Sequence, residues 1–309
     1  MTAGALRAAD GSQRAVASRD GAPGVGVLRR QDRMTMLALD QRGSLRTMLA
    51  RDRPVPQVPD AELISFKAQA VAALASHASA VLLDSTYGRD AMAALPGDTP
   101  LILAADKFRQ QPGGPVDQSG FDELVTPELV RELNPVAVKM LIIWRAADDP
   151  GYRAEQITRF LALARQTGRI ALLEAITRPA AGDRFPTAAA HGAAVIAAAR
   201  ELTAYQPDVY KAEVPAYLPG RLELVEEYSR RLSEQIAQPW VVLSNGVRAE
   251  DFTDGVRRAV TGGASGFLAG RAIWEDAARS GNPAEALRSI SVPRLRALAD
   301  VARQSGPEK

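Results

Sequence analysis

The sequence predicts an α/β protein: a single (β/α)8 TIM barrel with a flexible N-terminal extension. Three observations carry this reading. Eight short apolar segments recur along the chain, several of them near-continuous hydrophobic runs of the kind parallel strands show when helices cover them. Ala-rich stretches of helical length separate most of them, and sustained strand–helix alternation builds such a barrel. No GxGxxG loop follows the first segment, which disfavours the competing doubly wound sheet.

Residues 1–33 come first. They hold six Arg and three Asp among Ala, Gly and Ser, with no sustained apolar period. Such a segment buries too little surface to order itself, so 1–33 is expected to be disordered and 34–309 to form the barrel and its C-terminal helices. The eight segments are MTMLALD (34–40), ASAVLLD (78–84), TPLILAAD (99–106), PVAVKMLIIW (135–144), RIALLEAI (169–176), PDVYKAEV (207–214), QPWVVLS (238–244) and ASGFLAG (264–270). Between them, 61–76, 126–133, 152–167, 187–204, 220–236 and 249–262 suit helices. Gly262–Gly263 is a stop for the last. Residues 106–122, DKFRQQPGGPVDQSGFD, read as a long loop near the barrel mouth. Residues 283–303 read as terminal helices.

Composition removes several functions. The chain has 309 residues, 46% hydrophobic and 24% charged, as in ordinary soluble domains. No apolar run reaches the ~18–20 residues of a membrane span, so no membrane partner is expected. There is no Cys, hence no disulfide, thiolate metal site or Cys nucleophile. Only His77 and His191 are present, which leaves little for a His-rich metal centre, and no metal or cofactor is expected. The net charge is +2. Because 1–33 contributes +3, the remainder totals −1. The basic character belongs to the tail, and no nucleic-acid partner is expected. The tail lacks the apolar core of a secretory signal, so a cytoplasmic location is expected.

Lysine placement gives the first chemical signal. Of 38 basic residues only five are Lys: Lys67, Lys107, Lys139, Lys211 and Lys309. Lys139 and Lys211 sit inside apolar runs, and the run between them carries Glu174. Arg cannot be deprotonated in a protein, whereas a desolvated Lys beside a second cation can become a neutral nucleophile. Ion pairing of these Lys with Glu174 or Glu213 is the structural alternative. Barrel sites lie at the C-terminal ends of strands, which would bring Asp40, Lys139, Glu174, Lys211, Ser244, Gly270 and Arg271 to one mouth. Strand parity places Glu213 inward with Lys211. The loops LSNGV (243–247) and LAGRAIW (268–274) offer small residues and Arg271 to an anion, where barrels often bind phosphate.

At this point the chain resembles the class I tagatose-1,6-bisphosphate aldolase family. The resemblance runs through MLALDQRGSLRTML (36–49), AVLLDSTYG (80–88), AVKMLIIWR (137–145), LLEAITRP (172–179), DVYKAEVP (208–215), WVVLSNGV (240–247) and GASGFLAGRAIW (263–274). It covers essentially 34–300, in order and spacing. The WR after the fourth segment, GDRF (182–185) and the PW before the seventh look closest to the sulfofructosephosphate aldolases. Those cleave 6-deoxy-6-sulfofructose 1-phosphate to dihydroxyacetone phosphate and sulfolactaldehyde in sulfoquinovose catabolism. DQRG departs from the DQRE of that branch and looks like the tagatose-bisphosphate one. The resemblance implies Lys211 as Schiff-base residue, Glu174 as proton shuttle, and Lys139 and Asp40 as further catalytic residues. It implies Ser244, Gly246, Gly270 and Arg271 around a phosphate. Gln41, Arg42, Arg145, Arg178 and Arg184 are candidates for the distal anion. It also implies a homo-oligomer acting on a small ketose phosphate. Tagatose- or fructose-bisphosphate cleavage, sulfofructose transaldolase action and a non-catalytic, sugar-phosphate-binding regulatory barrel are the alternatives.

Overall fold

The computed structural model describes residues 24–110, 116–179 and 184–306. β1 (Met34–Leu39) leads into α1 (Gly43–Ala50) and α2 (Asp60–Leu74). β2 (Val81–Leu83) leads into α3 (Arg89–Ala93). β3 (Leu101–Ala104) is followed by β4 (Asp106–Gln110), β5 (Val116–Phe121) and α4 (Pro127–Leu133). Then come β6 (Ala137–Trp144), α5 (Pro150–Thr167), β7 (Ile170–Thr177), α6 (Ala188–Thr203), β8 (Val209–Ala212), α7 (Val225–Ser233), β9 (Trp240–Val242), α8 (Ala249–Thr261) and β10 (Gly266–Ala269). α9 (Arg271–Arg279), α10 (Pro283–Ala286) and α11 (Val292–Gln304) end the fold, the last two joined by a π-helical turn at Leu287–Ser291.

The eight expected strands close a parallel barrel in the order β1-β10-β9-β8-β7-β6-β3-β2. Local chemistry sets several boundaries. Thr126, Asp149 and Thr187 cap α4, α5 and α6 by accepting backbone N–H groups, as short polar side chains do at helix starts. Gly168 ends α5 in the left-handed region. The helix expected over 220–236 begins only at Val225, because Leu218 and Arg221 bridge across a turn with Gly220 at φ +73°. α1, α3 and α9, absent from the sequence reading, are helices of nine residues or fewer that follow β1, β2 and β10.

Two differences are larger, one at the mouth and one at the floor of the barrel. Within the expected loop 106–122, β4 and β5 pair antiparallel, with Asp106 opposite Phe121 and Phe108 opposite Ser119. Its polar, Gly-containing strands lack the apolar alternation that marks a strand. Residues 111–115 lie outside the described residues. The second difference is at residues 24–33, which fold against the barrel floor. Val25–Leu28 form a 3-10 turn, and Leu28 is wholly buried with Met34, Met36, Ile102, Val209 and Leu268. One buried Leu in a Gly-rich segment leaves no periodic trace. The remainder of the expected extension, 1–23, lies outside the described residues.

Alternation along the strands divides the barrel interior into layers. The lowest is apolar: Met34, Met36, Leu82, Ile102, Ala137, Leu172, Val209, Val241 and Leu268. The uppermost is also apolar, built from Leu141, Ile143, Ile176 and Leu243 with Phe108 packed on it. Between them β6, β7 and β8 insert Lys139, Glu174 and Lys211, each two residues from an apolar inward neighbour. The opposite faces pack against the helices in the main core, which includes Val138, Met140, Leu173, Tyr210 and Trp240. Closure between β1 and β10 depends on Gly266, at φ +140° with its Cα facing Met34. A side chain there would collide with the Met34 carbonyl oxygen.

Candidate active site

The charged layer is a network of two amines and three carboxylates. Register pairs Glu174 with Leu141 on one side and with Lys211 on the other. Lys139 Nζ donates to Asp40 Oδ2 at 2.9 Å and to Asp106 Oδ2 at 2.9 Å, and lies 2.8 Å from Glu174 Oε2. The same Glu174 oxygen accepts from Lys211 Nζ at 3.0 Å. Asp106 Oδ2 also accepts the Leu141 backbone N–H at 2.9 Å. All five residues are buried, none more than 5% exposed.

Burial and pairing move the two amines in opposite directions. Burial opposes the charge of Lys139, but Asp106, Asp40 and Glu174 outweigh it and hold the ammonium well above the usual lysine range. Lys211 is lowered, first by burial and then by the Lys139 cation, against the pull of Glu174. Burial also opposes ionisation of Asp40, yet Lys139 and Lys211 keep it well below the usual carboxylate range. Asp106 is raised by burial, which Lys139 and Arg42 do not fully offset. The arrangement can therefore present a neutral amine at Lys211 beside the fixed cation of Lys139 and the ionised carboxylate of Asp40. That is the requirement for attack on a carbonyl.

A cavity of about 330 Å³ opens above this layer. Gln41, Arg42, Ser244, Gly270 and Arg271 line it, as the sequence suggests, and so does Arg178. Arg271 starts α9 and donates to Asn245 Oδ1. A Cβ on Gly270 would approach the Ala38 carbonyl oxygen to 2.5 Å and Gln41 Nε2 to 2.9 Å, so glycine permits this close packing. Gly246, at φ +75°, lines a smaller neighbouring cavity of about 180 Å³ that shares Ser244 and Arg271. Arg184 is exposed and does not line the mouth. Arg145 lines a separate cavity with Asp148 and Tyr152.

Glu213 departs from the expectation of an inward position. β8 ends at Ala212, so strand parity no longer governs the next residue. Glu213 Oε2 instead accepts the Thr177 backbone N–H and hydroxyl, both at 2.7 Å, and lies 3.6 Å from His191 Nε2 on α6. Among the residues of the site that escaped the sequence reading are Asp106, in the charged layer, and Phe108 and Asn245, which line the cavity. A signal for Asp106 was present. The first three apolar segments all end in Asp, at Asp40, Asp84 and Asp106.

A closed parallel barrel with this buried layer at its strand ends is the frame of a barrel enzyme. Residues 34–276 match the model of the DeoC/LacD family of aldolases, and the chain belongs to that family. It is accordingly an aldolase, a carbon–carbon lyase. The chain is 29% identical over 272 residues to tagatose 1,6-diphosphate aldolase of Listeria monocytogenes, spanning 78% of this chain and 77% of that one. It is 25% identical over 275 residues to tagatose 1,6-diphosphate aldolase 2 of Enterococcus faecalis, with 79% of each covered. Among solved structures, an archaeal fructose 1,6-bisphosphate aldolase superposes with a TM-score of 0.60 at 18% identity, over 90% of this chain and 97% of that one. Fructose-bisphosphate aldolase of Plasmodium falciparum gives 0.66 at 13% identity, over 89% and 91%. At these identities the structural likeness is one of fold. Among the described residues, no helix is long and apolar enough to cross a membrane.

Proposed function

We propose that the chain is a class I aldolase that forms a Schiff base on Lys211 with a ketose phosphate. The observation that carries this reading is the single Glu174 oxygen held between Lys139 and Lys211. Neutral Lys211 attacks the C2 carbonyl, and Lys139 stabilises the oxyanion as the carbinolamine forms. Glu174 moves protons between the amine and the departing hydroxyl, so water leaves and an iminium results. Asp40 or Glu174 then takes the C4 hydroxyl proton. The C3–C4 bond breaks, its electron pair passes into the iminium to give an enamine, and an aldehyde is released. Protonation at C3 and hydrolysis free dihydroxyacetone phosphate and restore the amine. Ser244, Gly246, Gly270 and Arg271 are assigned to the phosphate, with Arg271 as the charged fork.

For the substrate we infer 6-deoxy-6-sulfofructose 1-phosphate, on the WR, GDRF and PW motifs, which look closest to the sulfofructosephosphate aldolases. The second reading is tagatose 1,6-bisphosphate. It is favoured by Gly43 in the DQRG motif and by the names of the relatives. We assign the distal anion to Gln41, Arg42 and Arg178, which line the mouth; Arg145 and Arg184 do not line it. The enzyme is read as a cytoplasmic homo-oligomer, on the resemblance alone.

Borohydride trapping with peptide mass spectrometry tests both parts. The protein is incubated separately with dihydroxyacetone phosphate, sulfofructose 1-phosphate and tagatose 1,6-bisphosphate, then reduced. A three-carbon phosphate adduct on Lys211 is expected, and the ketose that yields it by cleavage identifies the substrate. Folded protein that gives no adduct with any of the three refutes the Schiff-base reading.

A further inference from the structure

A third lysine is buried as deeply as the two in the site. Lys67 lies on α2, outside the barrel, and is wholly buried with Asp84 at the end of β2. Its Nζ donates to Asp84 Oδ1 and, at 2.7 Å, to the carbonyl of Leu39. Leu39 is the last residue of β1, and Asp40, Gln41 and Arg42 follow it directly. The second Asp84 oxygen accepts the Tyr87 N–H at 2.8 Å and lies 3.8 Å from Arg42 Nε. The far end of the Arg42 guanidinium is 3.7 Å from Asp106, which holds Lys139. Basic and acidic side chains therefore alternate from α2 to the buried layer: Lys67, Asp84, Arg42, Asp106, Lys139, Glu174, Lys211.

Stability alone gives little reason for the Lys67–Asp84 pair. Desolvating two charges offsets most of their attraction, and apolar replacements of similar volume are often neutral or stabilising. The pair does, however, fix two things the site needs. It anchors the backbone immediately before Asp40, and it sets a carboxylate against Arg42. Arg42 stands in an unusual conformation, φ −121° and ψ −88°, at the head of α1, with its guanidinium 5.4 Å from the Phe108 ring centroid.

We infer that Lys67 and Asp84 are positioning residues: from outside the barrel they hold the 40–43 loop so that Asp40 and Arg42 meet the substrate in register. The catalytic part of this inference rests on the Schiff-base reading, but the positioning part does not. The test uses the full chain in two forms. Lys67→Met/Asp84→Leu removes both charges together and leaves no lone buried ion. Asp84→Asn, for use should the double variant not fold, retains an acceptor for Tyr87 and removes the carboxylate charge that faces both Lys67 and Arg42.

Amide hydrogen exchange reads the loop whatever the substrate. In a folded variant the 40–43 amides are expected to exchange at least about tenfold faster, as in locally loosened segments. Kinetics read the consequence for turnover. Displacing a reacting group by about 1 Å can cost on the order of 100-fold, and a kcat loss of that order is expected with trapping on Lys211 retained. Adding Asp84→Asn to Arg42→Gln should lower kcat/KM by less than the product of the two single losses, because the part that acts through Arg42 is already gone. Unchanged exchange in the loop, or multiplying losses in that pair, would overturn the inference. If wild type traps no adduct while the loop loosens as expected, the Schiff-base reading fails and the positioning role stands.

Discussion

Glu174 and Lys211 face each other in register across β7 and β8, joined at 3.0 Å through an oxygen that also lies 2.8 Å from Lys139. One carboxylate oxygen thus serves two amines with opposed tendencies. Lys139 is held charged by its surrounding carboxylates. Lys211 hydrogen-bonds one carboxylate, which it shares, and is pushed toward neutrality by burial and by Lys139.

Lys139→Met should therefore move the pH dependence of kcat/KM. With the cation gone, the amine of Lys211 rises and holds its proton to higher pH. The limb on which activity climbs with pH shifts to the alkaline side. A loss of roughly 100- to 1,000-fold accompanies it, as when one oxyanion donor is removed. Full pH–rate profiles of both proteins check the sign; an unmoved limb would remove Lys139 from this role.

Lys211→Arg should be as inactive as Lys211→Ala, on the order of 10⁴-fold or more down, as for loss of a nucleophile. Arg keeps the charge but cannot attack a carbonyl. Single-turnover assays with borohydride trapping distinguish this from a merely electrostatic role, in which Arg would substitute in part.

Arg178 and Arg184 separate cleanly. Arg178→Gln is expected to lower kcat/KM by roughly 10- to 100-fold, the range for a hydrogen bond to a charged group. Arg184→Ala should stay within about twofold, as for surface positions away from a site. Comparing sulfonated and phosphorylated ketoses on Arg178→Gln shows whether that side chain discriminates between them.

Asp106→Ala leaves the buried Leu141 N–H without an acceptor and removes one partner of Lys139. A loss of about 1–3 kcal/mol is expected from the orphaned N–H alone. Asp106→Asn should lose less, because its amide oxygen can still accept. Urea denaturation of the two variants measures the difference.

Gly266→Ala tests the barrel seam. Its methyl would strike the Met34 carbonyl oxygen at a φ that side chains rarely adopt. A loss of at least about 3 kcal/mol is expected from strain and overpacking combined. Thermal unfolding of purified variant against wild type gives the value.

Much of this was written in local pattern. The barrel strands are continuous apolar runs, so their number and order could be read directly. Lys139, Glu174 and Lys211 stood out because charge inside such a run needs a reason. Asp106 did not, because its partner Lys139 is 33 residues away and joins it only through the β3–β6 pairing. The β4–β5 hairpin carries too few apolar residues to be distinguished from a loop. Lys67 lay in a helix where one Lys looks like surface, and only packing of α2 against the barrel shows it buried. Glu213 failed for the converse reason: parity was extended one residue past the end of its strand.

The floor closed by Leu28 and the methionine layer leaves the two products of cleavage a common exit through the mouth. On the Schiff-base reading, one fragment is still tethered to Lys211 when the other is born. Departure must then be sequential, aldehyde first and dihydroxyacetone phosphate last. Product inhibition carries that signature: dihydroxyacetone phosphate competes with the ketose for free enzyme, and the aldehyde gives a mixed pattern by rejoining the tethered enamine.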